Sequence, residues 1–211
     1  MLTAGQVTSI VKQYIRDGRE LPWVEFKRNY HDSEKVGEYV SALANSAALA
    51  GEPRGLLVWG IEDANKAIVG TVFDPDSTKG AGNEDLRPWL RRLLAPSSIE
   101  FDFTTIEVEE KRLVVLTVSA ARDQPVQFRG VEYIRDASHN KKLADLPRHA
   151  AKLWRTLDTT PFEVRPARED LRVHQVRDLL SFETYSELTQ VPLVGDEEML
   201  RYLSADRVVQ E

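Results

Sequence analysis

The sequence predicts a mixed α/β fold of the α+β kind. It is a mostly antiparallel sheet with packed helices, followed by a short helical C-terminal extension. Three observations carry this expectation. Helical stripes and strand alternation interleave in the order αβαββαββββα up to about residue 157. The apolar runs from 99 to 135 are joined by short polar or glycine turns, as in hairpins. After Asp158 the strand signals stop and helical patterns remain at 168–182 and 195–204. The chain therefore divides into a domain over 1–157 and an acidic linker with a helical extension over 158–211.

Composition narrows the class. The chain has 211 residues, 42% hydrophobic and 29% charged, which suits a folded soluble protein rather than a disordered one. It has no cysteine, which excludes disulfides and thiolate zinc sites and suits a cytoplasmic location. No apolar run approaches the ~20 residues that span a bilayer, so a membrane is not an expected partner. The opening Met-Leu-Thr-Ala-Gly-Gln lacks the basic and apolar regions of a secretory signal. The net charge is −6, and residues 156–211 hold the whole surplus.

The elements follow in order. Residues 3–17 form a helix capped by Thr3, striped by Val7, Ile10, Val11 and Tyr14, and stopped by Gly18. Trp23 to Arg28 alternates as a short strand, with Trp23, Glu25 and Lys27 on one face and Val24, Phe26 and Arg28 on the other. Asp32 or Ser33 caps a helix that runs to about Leu49 on the stripe Val36, Tyr39, Val40, Leu43, Ala44 and Ala47. Leu56 to Ile61 is a central strand buried on both faces. Ile68 to Phe73 returns as its hairpin partner. Glu84 to Leu94 is a helix. Ile99 to Val108 and Arg112 to Ser119 are strands joined by an acidic turn. Gln127 to Arg129 and Val131 to Arg135 make a hairpin around Gly130. A helix runs from Ser138 or Asn140 to Leu157. Thr159 to Pro166 reads as a linker or edge strand. The chain stops soon after Arg207 without a closing element, as expected of the front piece of a longer protein.

Chemistry concentrates in Glu20-Leu-Pro-Trp-Val-Glu25-Phe-Lys27. Glu20 and Glu25 enter and occupy one strand, Lys27 stands beside Glu25, and Asp63 closes the next apolar run. Three acids and a lysine at strand ends suit a Mg²⁺- or Mn²⁺-dependent phosphodiesterase. The alternative is an exposed Glu25–Lys27 pair on an edge strand. A basic segment, Arg135 with Lys141, Lys142, Arg148, Lys152 and Arg155, is a candidate nucleic-acid face or a merely solvated one. Arg87, Arg91 and Arg92 form a smaller cluster. His31, His139, His149 and His174 are scattered without zinc spacing. Asn45 reads as ordering a strand loop, and Trp23 and Trp59 as packing residues.

Four stretches together resemble the Schlafen-type AlbA-like domain. Glu20-x-x-x-x-Glu25-Phe-Lys27 is similar to E-S-x-x-x-E-F-K. Tyr39 to Ser46 is similar to I-x-A-F-A-N-T. Gly55 to Asp63 with Ile68-Val-Gly70 is similar to G-G-x-L-x-I-G-V-D-D followed by I-x-G. Tyr133 to Asn140 is similar to Y-I-R-x-G-S-S-N. The resemblance covers about residues 15–157. It implies an AlbA-like core that binds RNA or DNA. In nuclease-active Schlafens it implies a metal-dependent cut in structured RNA such as tRNA, with Glu20, Glu25 and Asp63 as Mg²⁺ or Mn²⁺ ligands and Lys27 at the phosphate. Arg135, Ser138, His139, Lys141, Lys142 and Arg148 are the expected nucleic-acid contacts. The alternative is a non-catalytic module of a bacterial transcriptional regulator or defence protein. A third reading is an interaction domain whose acidic tail docks on a downstream domain or a second copy. The departures are Leu21 for serine, the longer Ala47–Gly55 segment for Gly-Gly, and Ala137 for glycine. No G-x-x-x-x-G-K-[ST] occurs, so ATP is not an expected cofactor.

Overall fold

Thr3 starts helix α1 (Ala4–Asp17) with a capping box: its side chain accepts the Gln6 N–H while the Gln6 side chain accepts the Thr3 N–H. Gly18, at φ 61, ends the helix. The computed structural model describes residues 2–19, 21–29, 31–158, 171–206 and 208–209. They fall into two compact units, Met1–Thr159 and Thr160–Glu211.

In the first unit, β1 (Val24–Lys27) pairs in parallel with β2 (Arg54–Trp59). β2 also pairs antiparallel with β5 (Lys111–Ser119), and β5 with β4 (Phe101–Val108). The order β1-β2-β5-β4 makes β1 an edge and β2 central, which explains why β2 is almost wholly apolar. Period-two alternation sends Val24, Phe26, Leu56, Val58 and Val115 to one face, where Val7 and Val11 of α1 pack. The opposite face carries Leu57, Trp59, Val114 and Leu116 against helix α2 (Ser33–Ala50), which Asp32 caps through the Lys35 N–H.

Helix α2 lies between this sheet and a second one, ordered β3 (Leu94–Ala95), β6 (Gln127–Phe128), β7 (Val131–Asp136) and β8 (His139–Lys142). Gly37 lets α2 approach β6: a Cβ there would stand 2.2 Å from the Phe128 ring. Helices α3 (Leu86–Leu93) and α4 (Pro147–Leu157) complete this core with Trp89, Leu90, Leu153 and Leu157.

Two expectations are corrected. Residues 138–157 are not one helix. Ala137 takes φ 51, the chain folds back, and His139–Lys142 pairs with Tyr133–Asp136 as β8. A 3-10 turn (Leu143–Asp145) follows, and α4 begins only at Pro147, whose fixed φ suits a first helical turn. Residues 68–73 are not a strand beside β2. They meet the segment just after it at the isolated bridge Ile61–Ile68, because the Gly60 carbonyl accepts both the Val69 and Gly70 N–H groups and Thr71 then turns to Arg112. Gly60, at φ 102, has no room for a side chain beside Leu113.

The second unit holds α5 (Val173–Leu179), α6 (Phe182–Thr189) and α7 (Asp196–Ala205) around Val176, Phe182, Met199 and Leu203. Within the expected helical pattern over 168–182 the described residues hold α5, and Ser181 then caps α6. The expected linker Thr159–Pro166 lies outside the described residues. No helix among the described residues is long and apolar enough to cross a membrane.

Candidate functional site

The alternation of β1 turns Glu25 and Lys27 toward α2 and away from α1. Glu25 is buried even though β1 is an edge strand. Its Oε1 accepts from the Tyr39 hydroxyl at 3.2 Å and lies 2.6 Å from Lys27 Nζ. Its Oε2 accepts from Arg135 Nη2. The Tyr39 ring stands near both cations, 5.6 Å from Lys27 Nζ and 5.5 Å from Arg135 Cζ. The Glu25–Lys27 pair is therefore not the exposed edge pair that was the alternative in the sequence. One carboxylate is shared by two cations and a phenol.

The electrostatics follow from this arrangement. Burial alone would depress the Lys27 ammonium, but the Glu25 hydrogen bond and charge outweigh it and hold its pKa above the usual lysine range. Burial, and then the Glu25 charge, push the Tyr39 phenol up, so it stays a donor.

A polar row on an otherwise apolar α2 sets the position of Arg135. Ser41 Oγ donates to the Val126 carbonyl at 2.7 Å and accepts the Tyr133 N–H at 2.9 Å. Asn45 is buried; its amide donates to the carbonyls of Val126 and Tyr133 and accepts the Val126 N–H. Ser46 Oγ accepts the Arg135 N–H at 3.0 Å. These groups answer buried backbone donors and acceptors of β7 and the segment before β6. They hold the Arg135 side chain, 3% exposed, against Glu25. Arg135 Nη1 reaches Asn140 Oδ1 of β8 at 3.1 Å. Sequence reasoning gave Asn45 an ordering role, but it read Tyr39 as a stripe residue and did not single out Ser41. The signal was visible: Ser41, Asn45 and Ser46 are polar at helical spacing on a buried helix.

A cleft beside this cluster is lined by Arg19, Glu25, Asp63, Lys66, Arg135 and Ser138. Asp63 follows β2 and is itself exposed, with Oδ1 2.8 Å from Lys66 Nζ. Lys66 lies over the Phe26 ring. Glu20 lies outside the described residues. Arg135 and Ser138 thus join Glu25 and Asp63 at one cleft. His139, Lys141 and Lys142 stand along the exposed strand β8, with Lys141 Nζ 2.6 Å from Asp136, and Arg148 is exposed on α4. Trp59 is buried, and Trp23 is half-buried with its indole donating to Tyr14; both pack, as expected.

The fit to a divalent ion can be tested at Glu25. Both of its oxygens already accept charge-assisted bonds, and coordination would separate it from Arg135, Lys27 and Tyr39. That arrangement suits a counter-ion and does not fit a metal ligand. Among the described residues, no group of three or more His, Asp or Glu gathers in a way that could hold a metal.

The family model described as Schlafen, AlbA_2 matches residues 20–144, a span that contains β1 through β8. Among solved structures, the chain is similar to the DIP2311 protein of Corynebacterium diphtheriae at 20% identity and a TM-score of 0.44, covering 65% of this chain and 26% of that one. It is also similar to the N-terminal domain of a RecG-related protein from Nitrosomonas europaea at 23% identity and a TM-score of 0.36, covering 57% of this chain and 75% of that one. This chain thus spans about a quarter of the Corynebacterium protein's length. No curated protein matches it with significance. The matched family model takes in more than half of the sequence and every strand among the described residues, and the chain belongs to the Schlafen AlbA_2 family.

Proposed function

We propose that the 1–157 domain is a nucleic-acid-binding module that holds RNA or DNA through the phosphate backbone. The observation that carries this reading is β8: an edge strand, bonded on one side to β7, with the side chains of His139, Lys141 and Lys142 exposed along it. Arg148 adds a further exposed cation on α4. Membership in the Schlafen AlbA_2 family supports the same reading. The overall charge of −6 does not oppose it, since backbone binding depends on a local patch. Fluorescence anisotropy with labelled RNA and DNA across a salt series tests it. The expected result is affinity that falls steeply as salt rises. Absence of binding to both polymers at low salt would overturn it.

A second reading is an endonuclease that uses Mg²⁺ or Mn²⁺ against structured RNA such as tRNA, or against DNA. It is supported by Glu25 and Asp63 lining one cleft, with Lys27 beside Glu25. It requires Glu25 to leave its three partners. Incubation of RNA and DNA panels with Mn²⁺ decides it: cleavage lost in both Glu25→Gln and Asp63→Asn favours the enzyme, and no cleavage by wild type removes it.

A further inference from the structure

We propose that the cleft beside Glu25 is a receptor for a phosphate group, and that Glu25 serves there as the counter-ion of Arg135 and Lys27 rather than as a divalent-cation ligand. This rests on the reading of the domain as a nucleic-acid binder and names which part of the polymer the cleft takes.

The charges favour an anion. Arg19, Lys66 and Arg135 line the cleft against Glu25 and Asp63, and Lys27 stands on Glu25 from the side. Asp63 is engaged by Lys66. Glu25 balances one of its two cations and leaves a positive charge over. Among the described residues, a divalent cation entering here would meet Lys66, Arg135 and Arg19, the last of them 3.9 Å from Asp17.

Arg135 supplies the second observation. Nη2 is spent on Glu25 and Nη1 on Asn140, while Nε is buried without a hydrogen-bond partner among the described residues. A buried donor left unanswered carries a desolvation penalty, and because Arg135 lines the cleft, an oxyanion that settles against its guanidinium would supply the acceptor. A guanidinium N–H is a strong, always-charged donor to a phosphate oxygen, and Nε is the one that Glu25 and Asn140 leave over. Ser138, at the β7–β8 turn, brings a hydroxyl to the same cleft, 3.2 Å from His139 Nδ1. Arg135 is pinned through its backbone by Ser46 and its head by Glu25, so the fork is held in place before any ligand arrives.

The test is NMR on the full ¹⁵N-labelled chain, reading the arginine Nε–H signals. The probes are inorganic phosphate, a 5′-phosphorylated dinucleotide, its dephosphorylated form, and MnCl₂. The expected result is a saturable shift of the Arg135 Nε–H with the two phosphorylated probes only. Mn²⁺ at equal concentration should leave the Arg135 and Tyr39 signals unbroadened. Lys27→Met, at a side chain 26% exposed, should keep the fold and weaken phosphate binding roughly tenfold, because Glu25 loses one of its two cations and its charge then opposes the anion. Stoichiometric broadening by Mn²⁺ that Glu25→Gln abolishes would overturn the proposal, and so would a phosphate titration that leaves Arg135 unmoved. A long oligonucleotide that binds without moving Arg135 sinks the receptor and leaves the nucleic-acid reading standing. A phosphate shift without oligonucleotide binding supports the receptor and sinks that reading.

Discussion

Glu25 and Arg135 stand 110 positions apart and meet in a buried ion pair, with side-chain exposures of 7% and 3%. Removing two charges from water is costly, so such a pair is not simply a stabilising device. Its effect is to fix one geometry, β1 against β7 across the end of α2.

The first prediction concerns coupling in that pair. Glu25→Gln leaves Arg135 and Lys27 without their counter-ion and should destabilise the domain by about 3–5 kcal/mol. Arg135→Gln leaves Glu25 with Lys27 and Tyr39 and should cost less. The double variant should be more stable than the sum of the two losses predicts by about 1–3 kcal/mol. Urea denaturation of the four proteins measures this. Strict additivity would mean that the two side chains act independently.

Asn45 gives the second prediction. Asn45→Ala removes three bonds and takes this partner from the Val126 N–H and the Tyr133 carbonyl in a buried place, while the Val126 carbonyl keeps Ser41. The expected loss is about 2–4 kcal/mol. Ser46→Ala removes one acceptor, from the Arg135 N–H, and should cost about 1 kcal/mol. Thermal unfolding that ranks Ser46→Ala as the more damaging would contradict the clamp described for β7.

How much of this was legible follows from how local each cause is. Period-two alternation in Trp23–Arg28 put Glu25 and Lys27 on one face, because strand geometry alone decides it. The stripe of α2 was equally plain. Strand β8 was not: His139-Asn-Lys-Lys142 has neither alternation nor β-branched residues and becomes a strand because Ala137 reverses the chain onto β7. Tyr39 looked like a stripe residue because its ring is apolar, and only the fold shows where its hydroxyl lands. The Arg135 partner of Glu25 could not be read at all, since nothing in either segment names the other.

Alkaline pH provides the third prediction. The folded state holds the Lys27 pKa above the usual range, so its contribution is present below the unfolded value of about 10.4 and is lost as pH rises through the folded value. Tyr39 moves the same way, being harder to ionise when folded. Stability should therefore hold across neutral pH and decline above about pH 10, where the unfolded tyrosine and then the unfolded lysine begin to lose their protons. Lys27→Met with Tyr39→Phe should flatten that decline. A double variant with an unchanged alkaline limb would place the titrating groups elsewhere.

The last prediction separates Lys141 from Lys142 on β8. Lys142 is exposed, while Lys141 is held by Asp136 at 2.6 Å, and that bond keeps the Asp136 carboxyl below the usual range. If β8 lies on a phosphate backbone, Lys142→Ala removes one phosphate contact. The slope of log affinity against log salt should then fall in magnitude by about 0.9 on duplex DNA or about 0.7 on a single strand. Lys141→Ala should weaken binding more, because it removes a cation and also uncovers the Asp136 charge. Asp136→Asn should do the reverse: it frees Lys141 and tightens binding at low salt, with the gain fading as salt screens the exposed charges. Anisotropy titrations at several salt concentrations read all three. The order Asp136→Asn tightest, then wild type, Lys142→Ala and Lys141→Ala, places β8 on the backbone. Three unchanged slopes would move the nucleic-acid contact off this strand.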